Sequence, residues 1–207
     1  MTDRVLKREA KKKGIIEAAA RVFARRGYSG TVMADIAEES GIGKGTLYEY
    51  FKSKEALFFA VFEWYLEKSG AKAQVSLTDL GKTASERLKL CSQILMTAWE
   101  ELRDIYSLTM EFWAASTSSQ IKDRFKHAFQ KGYREYRSLV AALIREGIAQ
   151  GEFRNDLAVE SVAAALVGTW DALLLQAWFD DGFDPVVMAD GFMDALMDGL
   201  RNTEAPE

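Results

Sequence analysis

The chain has 207 residues, 48% of them hydrophobic and 28% charged, which excludes a disordered or fibrous polymer and allows a buried core. The single cysteine, Cys91, excludes an internal disulfide, and the charged opening MTDRVLKREAKKK lacks the apolar run of a secretion signal, so a cytoplasmic location is expected. The net charge of −4 hides a division: residues 1–54 hold twelve Lys+Arg against seven Asp+Glu, a balance of +5, and the remaining fifteen against twenty-four give −9.

A basic end and an acidic body imply two modules with different partners. Helical periodicity runs throughout, and only two prolines, Pro185 and Pro206, interrupt the chain. The predicted fold is all-α. A first helix spans residues 5–26 with Ile15, Ala18, Ala19, Val22 and Phe23 as its apolar stripe and Gly27 as its stop. Thr31 is the predicted N-cap of a short helix to residue 40, with Ile36 and Ala37 inward and Gly41 ending it. A very short helix over 44–51 places Leu47 and Phe51, four apart, on its inner face. Ser53 then caps a fourth helix carrying Leu57, Phe58, Val61, Phe62 and Tyr65.

The polar segment SGAKAQVSLTDLGKTAS marks the expected domain boundary, giving domains 1–68 and 69–207. Further helices are predicted over roughly 84–102, 104–116, 120–150, 156–180 and 185–201. Gly151 stops one of them, Asn155 or Asp156 caps the next, and Asp184 with Pro185 opens the last. The apolar run VAAALVGTWDALLLQAWF is broken by Asp171 and fits a buried or interfacial helix better than a membrane span.

The stretch GIGKGTLYEYF admits two readings. A phosphate-binding loop needs Ser or Thr after the Gly-Lys pair and a glycine five residues before it; here Gly45 follows Lys44, and Glu38 stands upstream. A helix-turn-helix accounts for more of the residues. Gly41 permits the corner, Ile42 plugs it, and Leu47 and Phe51 anchor a short second helix. That leaves Lys44, Gly45, Thr46, Tyr48 and Tyr50 outward or on the flanks, where Lys and Thr reach base edges and tyrosine hydroxyls reach phosphates. A plain connecting helix would give the two tyrosines no task.

The run TVMADIAEESGIGKGTLYEYFKSKEALFFAVFE resembles the DNA-binding domain of the TetR family of transcriptional regulators, and the resemblance covers about residues 7–68. It implies a three-helix N-terminal domain with the motif at about 32–51, followed by a larger helical domain for effector binding and dimerisation. The residues implied to meet DNA are Thr31 and Met33 at the start of the first motif helix, then Lys44, Gly45, Thr46 and Tyr48, with Tyr50 and Lys54 clamping the backbone. One departure is Gly43, where the family usually has a serine. The basic tail KREAKKK either adds DNA contacts or forms a solvated arm.

The acidic body is rich in aromatics, and Phe112, Trp113 and Trp170 are the candidates for an effector pocket, with packed core as the alternative. Asp171 and Glu111 lie beside them in sequence. On the last two long helices, Ala164, Gly168 and Ala172 form a small-residue line extended by Leu175 and Phe179; Val187, Gly191, Phe192, Ala195, Leu196 and Gly199 mark the other helix. This is the expected homodimer face, the alternative being a monomer core. The lone His127 has no partner for a metal site or a catalytic triad, so neither metal nor cofactor is expected. The leading reading is a homodimeric repressor that binds a palindromic operator and is released by a small, largely apolar or aromatic effector. A regulator controlled by a protein partner and a helical enzyme are the alternatives.

Overall fold

The computed structural model describes residues 3–77, 81–118 and 121–201. Residues 78–80 of the expected boundary segment, residue 120 at the start of a predicted helix, and Pro206 lie outside them. The described residues are helical, in the order α1 (Asp3–Gly30), α2 (Met33–Glu39), α3 (Lys44–Tyr50), α4 (Lys54–Ser76), α5 (Ala84–Thr97), α6 (Trp99–Leu102), a 3-10 turn (Arg103–Ile105), α7 (Ser107–Ser118), α8 (Lys122–Ala149), α9 (Val159–Phe179) and α10 (Pro185–Leu200).

Local chemistry explains most boundaries. Gly27 breaks the helical path of α1 with φ 67° and ψ 164°, a left-handed value that suits a residue without Cβ. Ser53 accepts from the Ala56 amide at 3.1 Å, as its predicted cap role requires. Asp184 accepts from the Val186 and Val187 amides at 2.9 and 3.2 Å, with Pro185 at the first helical position.

Other boundaries differ from expectation. Thr31 does not cap α2. Val32 holds that position, its amide donating to the Asp35 carboxylate at 3.0 Å. Helix α4 continues through the first half of the predicted linker to Ser76. The predicted 84–102 helix is interrupted at Ala98, and its start is reinforced by a reciprocal pair, Thr83 with Glu86. Helix α9 starts at Val159 with Ala158 as its N-cap, so neither Asn155 nor Asp156 caps it; Asp156 pairs with Arg154 at 3.3 Å.

The described residues pack as two compact units. The first takes those within Met1–Lys68 and Leu102–His127, the second those within Ser69–Glu101 and Ala128–Glu207. These are not the two consecutive segments 1–68 and 69–207 expected from composition. The reason is aromatic: Phe112 and Phe125 complete a ring cluster with Phe23, Phe58 and Phe62. Centroids lie 5.0 Å apart for Phe23–Phe58, Phe62–Phe112 and Phe62–Phe125, and 5.1 Å for Phe58–Phe112.

In the second unit, α5, α8, α9 and α10 share a core of Leu88, Cys91, Met96, Ile144, Leu166, Trp170, Met193 and Met197. The Trp170 indole donates to Ser92 Oγ at 3.0 Å inside it. Arg87 is buried as well. Its guanidinium donates to the Leu77 carbonyl at 3.0 Å and to Glu146 at 2.7 Å, so no charge is stranded. Among the described residues, α9 alone is long and apolar enough to cross a membrane. Ala163, Leu166, Val167, Trp170, Leu173 and Ala177 line its buried face.

Leu47 is fully buried and Phe51 is 5% exposed, so both act as the inner anchors of α3. Phe51→Ala should destabilise the protein by about 3–5 kcal/mol through the lost ring and the cavity it leaves. A thermal melt equal to wild type would show that Phe51 is no anchor.

Candidate nucleic-acid interface

The α2–turn–α3 unit is built by its backbone. Gly41, at φ +66°, turns the chain. Its amide donates to the Glu38 carbonyl and the Ile42 amide to the Ala37 carbonyl, both at 3.0 Å, closing the end of α2. Ser40 adds a hydroxyl bond to the Ile36 carbonyl at 2.6 Å. Helix α3 follows with Gly43 as its N-cap. Burial of Leu47 turns the helix so that Lys44, Gly45 and Tyr48 are exposed and Thr46 and Tyr50 half-buried. A Cβ on Gly45 would meet nothing within 4 Å, so its backbone is open to close approach. Lys52 folds back, its ammonium donating to the Tyr48 carbonyl at 3.2 Å.

Three of the residues implied by the resemblance are held inside the fold. Thr31 is fully buried and its hydroxyl donates to the Gly27 carbonyl at 2.8 Å, because the break at Gly27 folds the chain back on itself. Met33 is 7% exposed and packs in the core. Neither side chain is presented to a phosphate. The Lys54 ammonium donates to the carbonyls of Tyr28 and Thr31 at 2.8 and 2.9 Å and sits 4.3 Å from the Tyr28 ring centroid. Lys54 therefore fastens the α1–α2 joint to the start of α4. Tyr28 belongs to the same joint. Burial, then the charge and hydrogen bond of Glu55, pushes its hydroxyl up to about 12.

Ion pairs tie α1 to α2. Arg21 and Arg25 reach Glu39 at 2.9 and 2.6 Å, and Arg26 reaches Asp35 at 2.7 Å. The Asp35 carboxyl is held low chiefly by the Val32 amide, and that of Glu39 by the hydrogen bonds from Arg21 and Arg25. The pairings were not legible in the sequence, since they join residues nine, fourteen or eighteen apart on different helices.

In the body, Phe112 and Trp170 are 1% and 3% exposed. Phe112 is enclosed by Phe58, Phe62, Tyr65 and Phe125, and Trp170 by the α5–α9–α10 core. Both are packed among neighbouring side chains in this structure. Trp113 is half-buried. Sequence reasoning passed over Trp64, whose indole nitrogen is buried without an acceptor among the described residues. Asp171 is half-buried and accepts from the Tyr133 hydroxyl at 2.6 Å. Burial raises its carboxyl above the usual range, against the lowering by that hydrogen bond.

The expected dimer residues divide by exposure. Gly168, Ala172 and Phe179 of α9 are exposed, Phe179 to 75%. Leu175, Phe192 and Leu196 are half-buried. Val187 and Met188 of α10 are exposed to 57% and 44%. The exposed large apolar side chains of these two helices are thus Phe179 on α9 and Val187 and Met188 on α10.

The profile of "Bacterial regulatory proteins, tetR family" matches residues 15–61. That of "BetI-type transcriptional repressor, C-terminal" matches residues 84–201. A "Fatty acid metabolism regulator protein" of Bacillus subtilis (strain 168) is 27% identical over 191 residues, covering 91% of this chain and 94% of the relative. Among solved structures, the regulator FadR of Bacillus subtilis in complex with stearoyl-CoA superposes with TM-score 0.72 at 23% identity, covering 91% of this chain and 99% of the other. A transcriptional regulator of Saccharomonospora viridis in complex with choline gives TM-score 0.73 at 25% identity, covering 92% and 96%.

The raised Asp171 carboxyl makes the folded chain bind its proton more tightly than the unfolded chain does. This site's contribution to stability therefore falls as pH rises from the ordinary carboxylate value through the raised one, and is constant above it. Asp171→Asn keeps an acceptor for Tyr133 and should melt higher than wild type at neutral pH. The difference should close as pH drops below the ordinary carboxylate value. A difference independent of pH in thermal melts would contradict this.

Proposed function

The chain belongs to the TetR family and is a DNA-binding transcriptional regulator, not an enzyme, and we propose that it acts as a homodimeric, ligand-responsive repressor in the cytoplasm. The observation that carries the reading is the division of α3. Leu47 and Phe51 are buried, while Lys44, Gly45 and Tyr48 remain exposed. Lys44 and Thr46 serve base edges or adjoining phosphates, and the hydroxyls of Tyr48 and Tyr50 serve phosphate oxygens. Thr31, Met33 and Lys54 hold the motif in shape from within.

Two copies joined along α9 and α10 would cover Gly168, Ala172, Leu175, Phe179, Phe192 and Leu196. The small residues permit close helix approach, and the exposed Phe179 gains most from burial. A two-fold dimer presents two α3 helices, which suits a palindrome with half-sites roughly 34–36 Å apart.

The effector is a small, largely apolar or aromatic molecule. Relatives of similar fold were solved with stearoyl-CoA and with choline. Trp113 and the unpartnered indole N–H of Trp64 are the side chains left to meet it. The effector acts by binding one head spacing of the dimer more tightly than the other, and the shift is bounded by that difference.

Lys44→Ala and Tyr48→Ala should each weaken binding to a duplex selected from a random pool, with unchanged melting. Loss of the Lys44 charge should also reduce the slope of log affinity against log salt by about one unit, whereas loss of the uncharged Tyr48 should leave the slope unchanged. Wild-type affinity and slope in both variants would sink the assignment. Phe179→Glu should convert a dimer to monomer in sedimentation; a variant that sediments like wild type removes the α9–α10 interface. Stearoyl-CoA, choline and aromatic compounds, screened by thermal shift, should reveal the effector class, because a ligand at a hundredfold its Kd stabilises the native state by about 2.7 kcal/mol.

A further inference from the structure

Helix α3 carries one acid, and that acid stands at the middle of its outer face. Glu49 is two positions from Leu47 and two from Phe51, so at about 100° per residue it points about 160° away from each anchor. Both anchors are buried and Glu49 is exposed. Gly45 lies one turn before it on the same side. A Cβ on Gly45 would meet nothing within 4 Å, so the backbone beside Glu49 is bare. The flanking side chains, Thr46 and Tyr48, are uncharged.

The charge of Glu49 is uncompensated. On α2, Asp35 and Glu39 are paired with arginines of α1, but Glu49 has no ion pair or side-chain hydrogen bond among the described residues. Lys52, three residues on and spaced to pair with it, donates instead to the Tyr48 carbonyl at 3.2 Å. A carboxylate offers acceptors and no donor. Phosphate oxygens, guanine N7 and O6 and thymine O4 are acceptors too and repel it. Adenine sets the N7 acceptor beside its N6 amino group. Cytosine presents its N4 amino group to the major groove with no acceptor of its own beside it. One base therefore matches the side chain.

We propose that Glu49 is a specificity-determining residue, accepting a hydrogen bond from the N4 amino group of a cytosine in each half-site of the operator. The inference rests on the operator-binding reading, in which α3 lies in the major groove, and adds a base that the lysine, threonine and tyrosines of the helix do not select. The bare backbone at Gly45 lets the helix approach closely enough for Glu49 to meet a base edge. Every sequence without that cytosine leaves the carboxylate unpaired and close to phosphate charge. The discrimination comes from repulsion of the wrong bases as much as from attraction to the right one. In a domain whose first 54 residues carry a balance of +5, the same charge weakens binding to DNA at large.

In the test, duplexes bound by wild type, Glu49→Gln and Glu49→Ala are selected from one random pool and sequenced. Wild type should enrich cytosine at one position of each half-site. Glu49→Gln, whose amide matches N6 and N7 of adenine, should move that position to adenine. Glu49→Ala should leave it without preference, and all other positions should keep their bases. Replacing that C·G pair in the selected duplex should weaken wild type by about 5- to 150-fold and leave Glu49→Ala unaffected. Both variants should bind an unselected duplex more tightly than wild type, because a negative charge is gone, and should melt like wild type. The same base at every position from all three proteins overturns the proposal, even where the variants bind more tightly, since Glu49 would then act by charge alone. Failure of wild type to bind any duplex overturns the regulator reading as well.

Discussion

A seven-residue helix has no stability of its own in water, since one or two hydrogen-bonded turns do not repay nucleation. Helix α3 exists because Leu47 and Phe51 are buried and because Gly41 turns the chain at a positive φ. Every property of its outer face follows from that inward anchoring. With Leu47 and Phe51 committed to the core, the orientation of the remaining side chains is set by the register of the helix, Lys44, Gly45 and Tyr48 staying exposed. The outer face of α3 is thus a by-product of core packing.

The joint below it works in the same way. Gly27 breaks α1, Thr31 closes the loop with its hydroxyl, and Lys54 brings one ammonium to two carbonyls and a tyrosine ring. Thr31 and Lys54, which resemble DNA contacts in the sequence, here hold the α1–α2 joint and the start of α4 together. Charge is distributed by the same logic. The arginines of the second half of α1 are matched by Asp35 and Glu39 and brace α2 against α1. In its first half Lys7 pairs with Asp3 and Arg8 lies over the Tyr50 ring, while Arg4, Lys11, Lys12 and Lys13 have no ion pair among the described residues.

In the acidic body the polar groups are few and mostly satisfied. Arg87 meets a carbonyl and a carboxylate, Trp170 meets Ser92, and Tyr133 meets Asp171. Such pairs fix how α5, α8 and α9 pack, because any slip would leave a buried polar group unmatched. Outside that body, on α4 of the first unit, Trp64 has a buried indole nitrogen without an acceptor among the described residues. The apolar residues left outside, Phe179, Val187 and Met188, gather on α9 and α10.

The sequence by itself determined what depends on near neighbours. The all-α class, the Gly41 corner, the Leu47–Phe51 anchor, the Ser53 cap and the Asp184–Pro185 start all rest on residues within one or two turns of each other, where periodicity and capping chemistry act. The tertiary structure decided what depends on residues far apart. It buried Thr31 and Met33, drew Phe112 and Phe125 into the core of the first unit, packed Trp170 in that of the second, and matched Arg21, Arg25 and Arg26 with carboxylates of α2. Nothing in the local pattern distinguishes an inward aromatic that lines a cavity from one that fills it. That choice is made by the neighbouring helices, whose approach is fixed only when all the apolar faces close together.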